Sequence, residues 1–216
     1  MSYPTLRLHP RKEESVLRFH PWIFSGAIAS FSAPVEDGDL VSVVDSKGRP
    51  LGTGHFGGGS IAVRLLSFDA EEIIDRAFYK RRLEAALRLR LSCDLVRPVG
   101  SSDSPNTTYR LVHGEGDSLP GLIIDIYDRT AVVQAHSLGM HQARQTIAEV
   151  LWEVFAEAGD PVLPLEGVYY KSETTLPTRD IRELASDGFL IGHTEAAPIY
   201  ENGVRFTPDW LKGQKT

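Results

Sequence analysis

The stretch Tyr109–Gln134, YRLVHGEGDSLPGLIIDIYDRTAVVQ, constrains this chain most. Three short apolar runs, Tyr109–His113, Leu122–Tyr127 and Ala131–Gln134, are separated by turn-forming residues. The first gap, GEGDSLPG, packs three glycines, a proline and two acids into eight residues. Gly and Asp accept unusual backbone angles and Pro pre-sets one, so the pattern predicts strands joined by tight loops. The same loop could instead cradle a ligand, with Glu115, Asp117 and His113 as acid, base or metal ligand. Alternate residues of an extended loop point apart, which favours a turn over an acid–base pair.

Upstream, Thr5–Leu8 alternates polar and apolar residues and predicts a short edge strand. In RKEESVLRFHPWIFSGAI the His-Pro step holds His20 extended. Pro21 is then placed to open a short helical turn through Trp22, Ile23 and Phe24 that ends at Gly26. Arg11, Lys12, Arg18 and His20 beside Trp22 and Phe24 supply what phosphates and bases require, cations and aromatic faces. Trp22 and Phe24 read as core anchors, and Arg18 and His20 as ligand contacts. Leu40–Asp45, Leu51–His55 and Ile61–Ser67 predict strands of a small barrel or rolled sheet. The glycines of GHFGGGS, residues 54–60, resemble a phosphate loop, but they lead from strand to strand with no helix following. A bulged hairpin is the reading adopted.

Asp69 with Glu72 three residues later forms a capping-box pattern. Ile74, Phe78, Leu83, Leu87 and Leu91 then mark the buried stripe of a helix whose remaining surface carries Arg76, Lys80, Arg81, Arg82, Arg88 and Arg90. The sole cysteine of the 216 residues, Cys93, ends it with no base beside it and reads as an incidental thiol. One cysteine excludes an internal disulfide and a cysteine zinc cluster, and it suits a reducing cytoplasm. No apolar run approaches the roughly 20 residues that span a bilayer, and the N-terminal stretch has no signal-peptide core. The expected location is therefore cytoplasmic, with no membrane partner.

The net charge of −6 conceals an asymmetry: residues 1–97 carry 14 Lys+Arg against 12 Asp+Glu, and residues 98–216 carry 9 against 17. The first part suits an anionic partner and the second would repel one. Residues 98–108, rich in Ser, Pro and Asn, predict a linker or loop. Beyond the three opening strands, an amphipathic helix over roughly Leu138–Ala158 is stopped by Gly159. Short strands follow at Gly167–Ser172, Phe189–His193 and Val204–Thr207. Strands, a helix, then strands predict a small α+β sandwich. This half shows no strand–Gly-rich–helix fingerprint, no His/Glu metal spacing and no nucleophile elbow. Its tail, ENGVRFTPDWLKGQKT, reads as an interruption rather than a natural end.

RFHPWIFSGAI, the Tyr109–Gln134 stretch and ENGVRFTPDWLKGQKT, in this order, resemble the PUA-domain, S-adenosylmethionine-dependent large-subunit rRNA cytosine-5 methyltransferases. The resemblance implies a mainly β then α+β fold: an N-terminal PUA-like small β-barrel followed by a small α+β sandwich domain. It implies a PUA-like RNA-binding domain over 1–70, a connecting basic helix over 71–97 and the linker over 98–108. A central α+β domain over 109–207 follows, then the start of a segment, 208–216, leading to a catalytic Rossmann-like domain absent from this chain. It implies ribosomal RNA as partner and allows a homodimer, with Arg7, Arg11, Lys12, Arg18, His20, Arg64, Arg81 and Arg82 on the RNA. The expected cofactor, S-adenosylmethionine, would be bound by the parent protein, with Gln214, Lys215 and Thr216 at the edge of its site. Family chemistry needs a cysteine that adds to the base; Cys93 lies outside any matching motif, so this chain alone would be inactive. A stand-alone PUA-type RNA-binding adapter is the alternative.

Overall fold

The computed structural model describes residues 3–176 and 187–209. They form a mostly β protein with two larger sheets, a two-stranded ribbon and four α-helices. The first sheet contains β1 (Thr5–Leu8), β2 (Trp22–Phe24), β3 (Ile28–Phe31), β4 (Leu40–Val44), β5 (Pro50–Phe56) and β6 (Ile61–Ser67), in the order β2-β6-β5-β4-β1-β3. β2 and β3 are separated only by the 3-10 turn Ser25–Ala27, yet they occupy opposite edges. So short a connection demands that the sheet curl until its edges approach, giving a half-barrel. Alternation along the strands fills the inside: Leu6, Leu8, Ile23, Val41, Val43, Val63 and Leu65 form one buried cluster.

The first correction lies here. Trp22–Phe24 is a strand, not a helical turn, and Ile23 is its buried anchor. A strand places successive side chains on opposite faces, so Ile23 goes inside while Trp22 and Phe24 face out, Phe24 being 52% exposed. Neither is a core anchor.

The helix α2 (Arg76–Ser92) starts later than the capping box suggests. Asp75 caps it, accepting from Phe78 N at 2.9 Å. Asp69 instead closes a tight turn onto Glu71 N, and Ile74 N is captured by the Tyr3 hydroxyl. Glu72 turns to Arg81 rather than back to Asp69. Phe78, Leu83 and Leu87 are buried as the spacing predicts, but Arg90 is buried with them.

The second sheet, β11-β10-β9-β8-β7, uses β7 (Thr108–His113), β8 (Leu122–Tyr127), β9 (Thr130–Ala135), β10 (Gly167–Tyr170) and β11 (Gly188–Gly192). β7, β8 and β9 are an antiparallel meander, whereas β9 and β10 are parallel. Parallel neighbours need a crossover, supplied by α3 (Leu138–Gln142) and α4 (Arg144–Ala158), which meet at Ala143 and end at Gly159 with φ +65°. Leu122, Ile124, Ile126, Ala131 and Val133 share one face, and α2 and α4 pack on it in a second buried cluster. Thus α2, expected as a connecting helix with a buried stripe, contributes that stripe to the second core.

The linker stretch 98–108 is tied down. Arg97 bridges to Asn106, and Thr107 N donates to Tyr200 O in β12 (Ile199–Glu201), which pairs with β13 (Val204–Phe206). Among the described residues no helix is long and apolar enough to cross a membrane, and no cluster of metal-binding side chains occurs.

Candidate nucleic-acid interface

The GEGDSLPG loop becomes a 3-10 turn, Gly114–Asp117, with positive φ at Gly114, Ser118 and Gly121. Its two acids have separate fates. Asp117, its side chain 4% exposed, takes Arg90 bidentately: Oδ1 to Nη1, and Oδ2 to Nη2 at 2.8 Å. Asp117 Oδ2 also accepts His113 N at 2.6 Å, so the carboxylate ties β7, its own turn and α2 together. Glu115 is exposed and reaches the other sheet, accepting from Trp22 Nε1 at 2.7 Å. The pair is therefore one structural clasp and one inter-sheet strut, not an acid–base couple.

The strut sits where the sheets face each other. Trp22 pairs in register with Arg64, and His55 with Arg64, so these three side chains line up across β2, β6 and β5. Opposite them stand Glu115, Gly121, His136, Ser137 and Gly139. Glycine makes the close approach possible: a Cβ on Gly139 would lie 2.2 Å from His55 Cγ, and one on Gly121 would lie 2.8 Å from Ser137 Oγ and 3.6 Å from Arg64 Cδ. Beside this seam a cleft of about 390 Å³ is lined by Asp37, His55, Gly57–Gly59, Arg64 and Ser137, among others. The glycine run at its rim joins two antiparallel strands, as the hairpin reading expects.

Burial pulls the Arg64 guanidinium below its ordinary pKa, with Glu115 pulling the other way. An arginine stays charged under such conditions, so Arg64 is a partly desolvated cation at the mouth of the cleft. Partial burial, then Arg64, lower the His136 pKa, with Glu115 opposing. On the open face of the second sheet Arg110 bonds Asp125 at 2.8 Å.

A census of ion pairs separates the sequence-derived candidates. On α2 and its approach, Arg76 and Lys80 pair with Glu153, Lys80 also with Glu157, Arg81 and Arg82 with Glu72, and Arg88 with Glu84. Arg81 and Arg82 are thereby held against Glu72. Arg7, Arg11, Lys12, Arg18 and Arg64 form no ion pair with any described residue. Arg7 rests its guanidinium on the carbonyls of Asp45 and Ser46. His20 accepts from Trp22 N at its Nδ1 and meets the indole edge-on. Among these candidates, the cations without an acid beside them thus sit on the curled sheet and its loops, while those of α2 stand against acids. Gln214, Lys215 and Thr216 lie outside the described residues.

Sequence reasoning missed Arg64's neighbours across the seam, and Phe19. Gly139 and His55 carry no local signal, because their contact depends on how the two sheets meet. Phe19 did carry one, an aromatic between Arg18 and His20. We expect Gly139→Ala to destabilise the chain by about 1–3 kcal/mol through overpacking, although Gly→Ala inside an ordinary helix stabilises by up to about 1 kcal/mol. Chemical denaturation reads this directly. A His55→Ala, Gly139→Ala double variant should recover part of the loss, and strict additivity would show that the ring contact is not the cause.

Residues 6–68 match a family described as a PUA-like domain. The chain is 37% identical over 214 residues to the ribosomal RNA large subunit methyltransferase I of Shewanella amazonensis, covering 98% of this chain and 50% of that protein. It is 33% identical over 217 residues to the protein of the same name from Klebsiella pneumoniae, covering 99% and 50%. The corresponding Escherichia coli protein is 33% identical over 208 residues, covering 95% and 48%. The chain spans about half the length of the curated relatives it matches. A solved structure from Streptococcus mutans, classed as a SAM-dependent methyltransferase, superimposes with a TM-score of 0.71 at 18% identity. That match covers 96% of this chain and 48% of that one, and it establishes the fold alone.

Proposed function

We propose that this chain is the RNA-recognition portion of an S-adenosylmethionine-dependent methyltransferase that modifies a cytosine of large-subunit ribosomal RNA at C5. The curled sheet grips the RNA, and methyl transfer is carried by the part of the relatives' length that this chain does not span. The observation that carries the reading is the division of charge: five of the candidate cations on or beside the curled sheet form no ion pair with any described residue, whereas those of α2 stand against Glu72, Glu84, Asp117, Glu153 and Glu157. Unpaired cations can displace the counterions condensed on RNA phosphates, and paired ones would first have to break a bridge. The PUA-like match over residues 6–68 and the names of the relatives support the same partner.

The glycine run of the cleft does not supply the strand–loop–helix cradle that would hold S-adenosylmethionine. The glycine run at 57–59 ends one strand and begins another, so no helix N-terminus follows it. No catalytic step is assigned to these residues.

The test is RNA binding by the chain against salt concentration. We expect log affinity for a large-subunit rRNA fragment to fall linearly with log salt, with a slope of about −0.7 for each phosphate held on a single strand. Removing Arg11, Lys12, Arg18 and Arg64 together should flatten that slope, whereas removing Arg81 and Arg82 should change it far less. Undetectable binding at low salt, or equal effects of the two sets, would count against the reading.

A further inference from the structure

Phe19 is the most exposed large apolar residue of the described chain, at 73%, and it follows α1 (Glu14–Leu17) on the rim of the curled sheet. Its φ is +62°, a region that bulky side chains avoid. The turn holds it there by Phe19 N donating to Val16 O at 2.9 Å and His20 N to Ser15 O at 3.0 Å. The ring is not loose. It meets Phe68 with the ring planes near-perpendicular and centroids 5.3 Å apart, while most of the residue's surface stays open to solvent. Folding gains little from a strained residue whose aromatic surface remains in water, so its position asks for a ligand.

The surroundings indicate which ligand. Arg18 precedes it and His20 follows, both exposed, and Arg11, itself at φ +67°, and Lys12 lie on the same segment without ion pairs to any described residue. Glu13 and Glu14 are the acids of this segment. Asp69, next to Phe68, spends its carboxylate on Glu71 N. A flat apolar face flanked by available cations suits a base that is unstacked from its neighbours, with the phosphates on either side meeting the cations.

We propose that Phe19 is a stacking platform for one unpaired base of the RNA, so that the substrate presents a single-stranded loop, bulge or end to this rim rather than a continuous duplex. This rests on the RNA-recognition reading given above, and the experiment separates the two. The full chain is titrated with a short single-stranded RNA carrying 2-aminopurine and with an A-form duplex of the same length. Wild type should prefer the single strand and quench the probe. Phe19→Ala should weaken single-strand binding roughly tenfold to a hundredfold, as loss of one stacked base does, and it should abolish the quench. Its salt slope should not change, because no phosphate contact is lost. Phe19→Trp should retain binding. Phe19→Gly, which suits the positive φ, should lose binding with no loss of thermal stability, which excludes misfolding as the cause. Wild-type binding with an undiminished quench in Phe19→Ala overturns the stacking role alone. No RNA binding by wild type overturns the recognition reading, and the stacking role with it.

Discussion

Asp117→Ala is expected to cost about 3–5 kcal/mol of folding free energy, the range for breaking a buried ion pair by removing one partner. Arg90 is 11% exposed at its side chain and Asp117 4%, so water cannot replace the lost carboxylate. What remains for the guanidinium is the bond from Arg90 Nε to Arg110 O at 2.8 Å, and His113 N loses its acceptor as well. The charge would be left in a low-dielectric site, where its desolvation is uncompensated. Domains have only about 5–15 kcal/mol in hand, so the variant should be near unfolding at physiological temperature. Glu115→Ala should cost under about 1 kcal/mol, one hydrogen bond at an exposed position. Urea denaturation followed by circular dichroism measures both. An Asp117→Ala loss smaller than that of Glu115→Ala would refute the clasp. An Arg90→Met, Asp117→Leu pair should be far milder than either single change, because no orphaned charge remains.

The two acids of this loop mark the boundary of what the sequence could disclose. The tight turn was legible: Gly114, Gly121 and Asp117 stand where unusual φ and a side-chain cap are required. That Asp117 would meet Arg90 was not, because the partner lies 27 residues upstream on a helix whose charged residues all resemble a solvated face. The period of α2 gave Phe78, Leu83 and Leu87 correctly, yet an arginine at a buried position is indistinguishable in sequence from an exposed one. Four strands of the curled sheet, β1, β4, β5 and β6, were legible from apolar alternation, whereas β3 was not foreseen. Trp22–Phe24 was misread because Pro21 satisfies a helix start as well as an edge strand's first residue. Pairing to Arg64, Val63 and Ile61 decides between them, and pairing is a tertiary fact. The candidate cations show the same boundary. The cations were visible, but only their partners reveal which are available: Arg81 and Arg82 have Glu72, whereas Arg11, Lys12 and Arg18 have no such partner among the described residues.

The seam between the sheets should make the fold acid-sensitive through one residue, His55. It is 6% exposed, packs against Gly139, and its Nδ1 is buried with no hydrogen-bond partner among the described residues. Burial, then the charge of Arg64, bring its pKa down from the usual 6.5 to about 4. The folded chain therefore resists protonating His55, while the unfolded chain accepts a proton near pH 6.5. Between those values the unfolded state binds more protons, so stability rises with pH and is fully present above about 6.5. Falling pH removes it, at most about 3 kcal/mol once pH 4 is passed, and about 2 kcal/mol between pH 7 and pH 5. The pH 7 to 5 interval is the useful one, since carboxylates remain largely ionised there. His136 and His141 are also held below their usual pKa, mainly by partial burial, and act in the same direction from more open positions. In His55→Phe the ring contact to Gly139 survives without a titrating group. Its stability difference between pH 7 and pH 5 should shrink to the remainder left by the other histidines. An unchanged difference would place the acid sensitivity elsewhere. If it shrinks, the proton acts where the curled sheet meets the second sheet. Arg64, the cation nearest that seam, would then lose its packing partner under the same conditions that loosen the two sheets from each other.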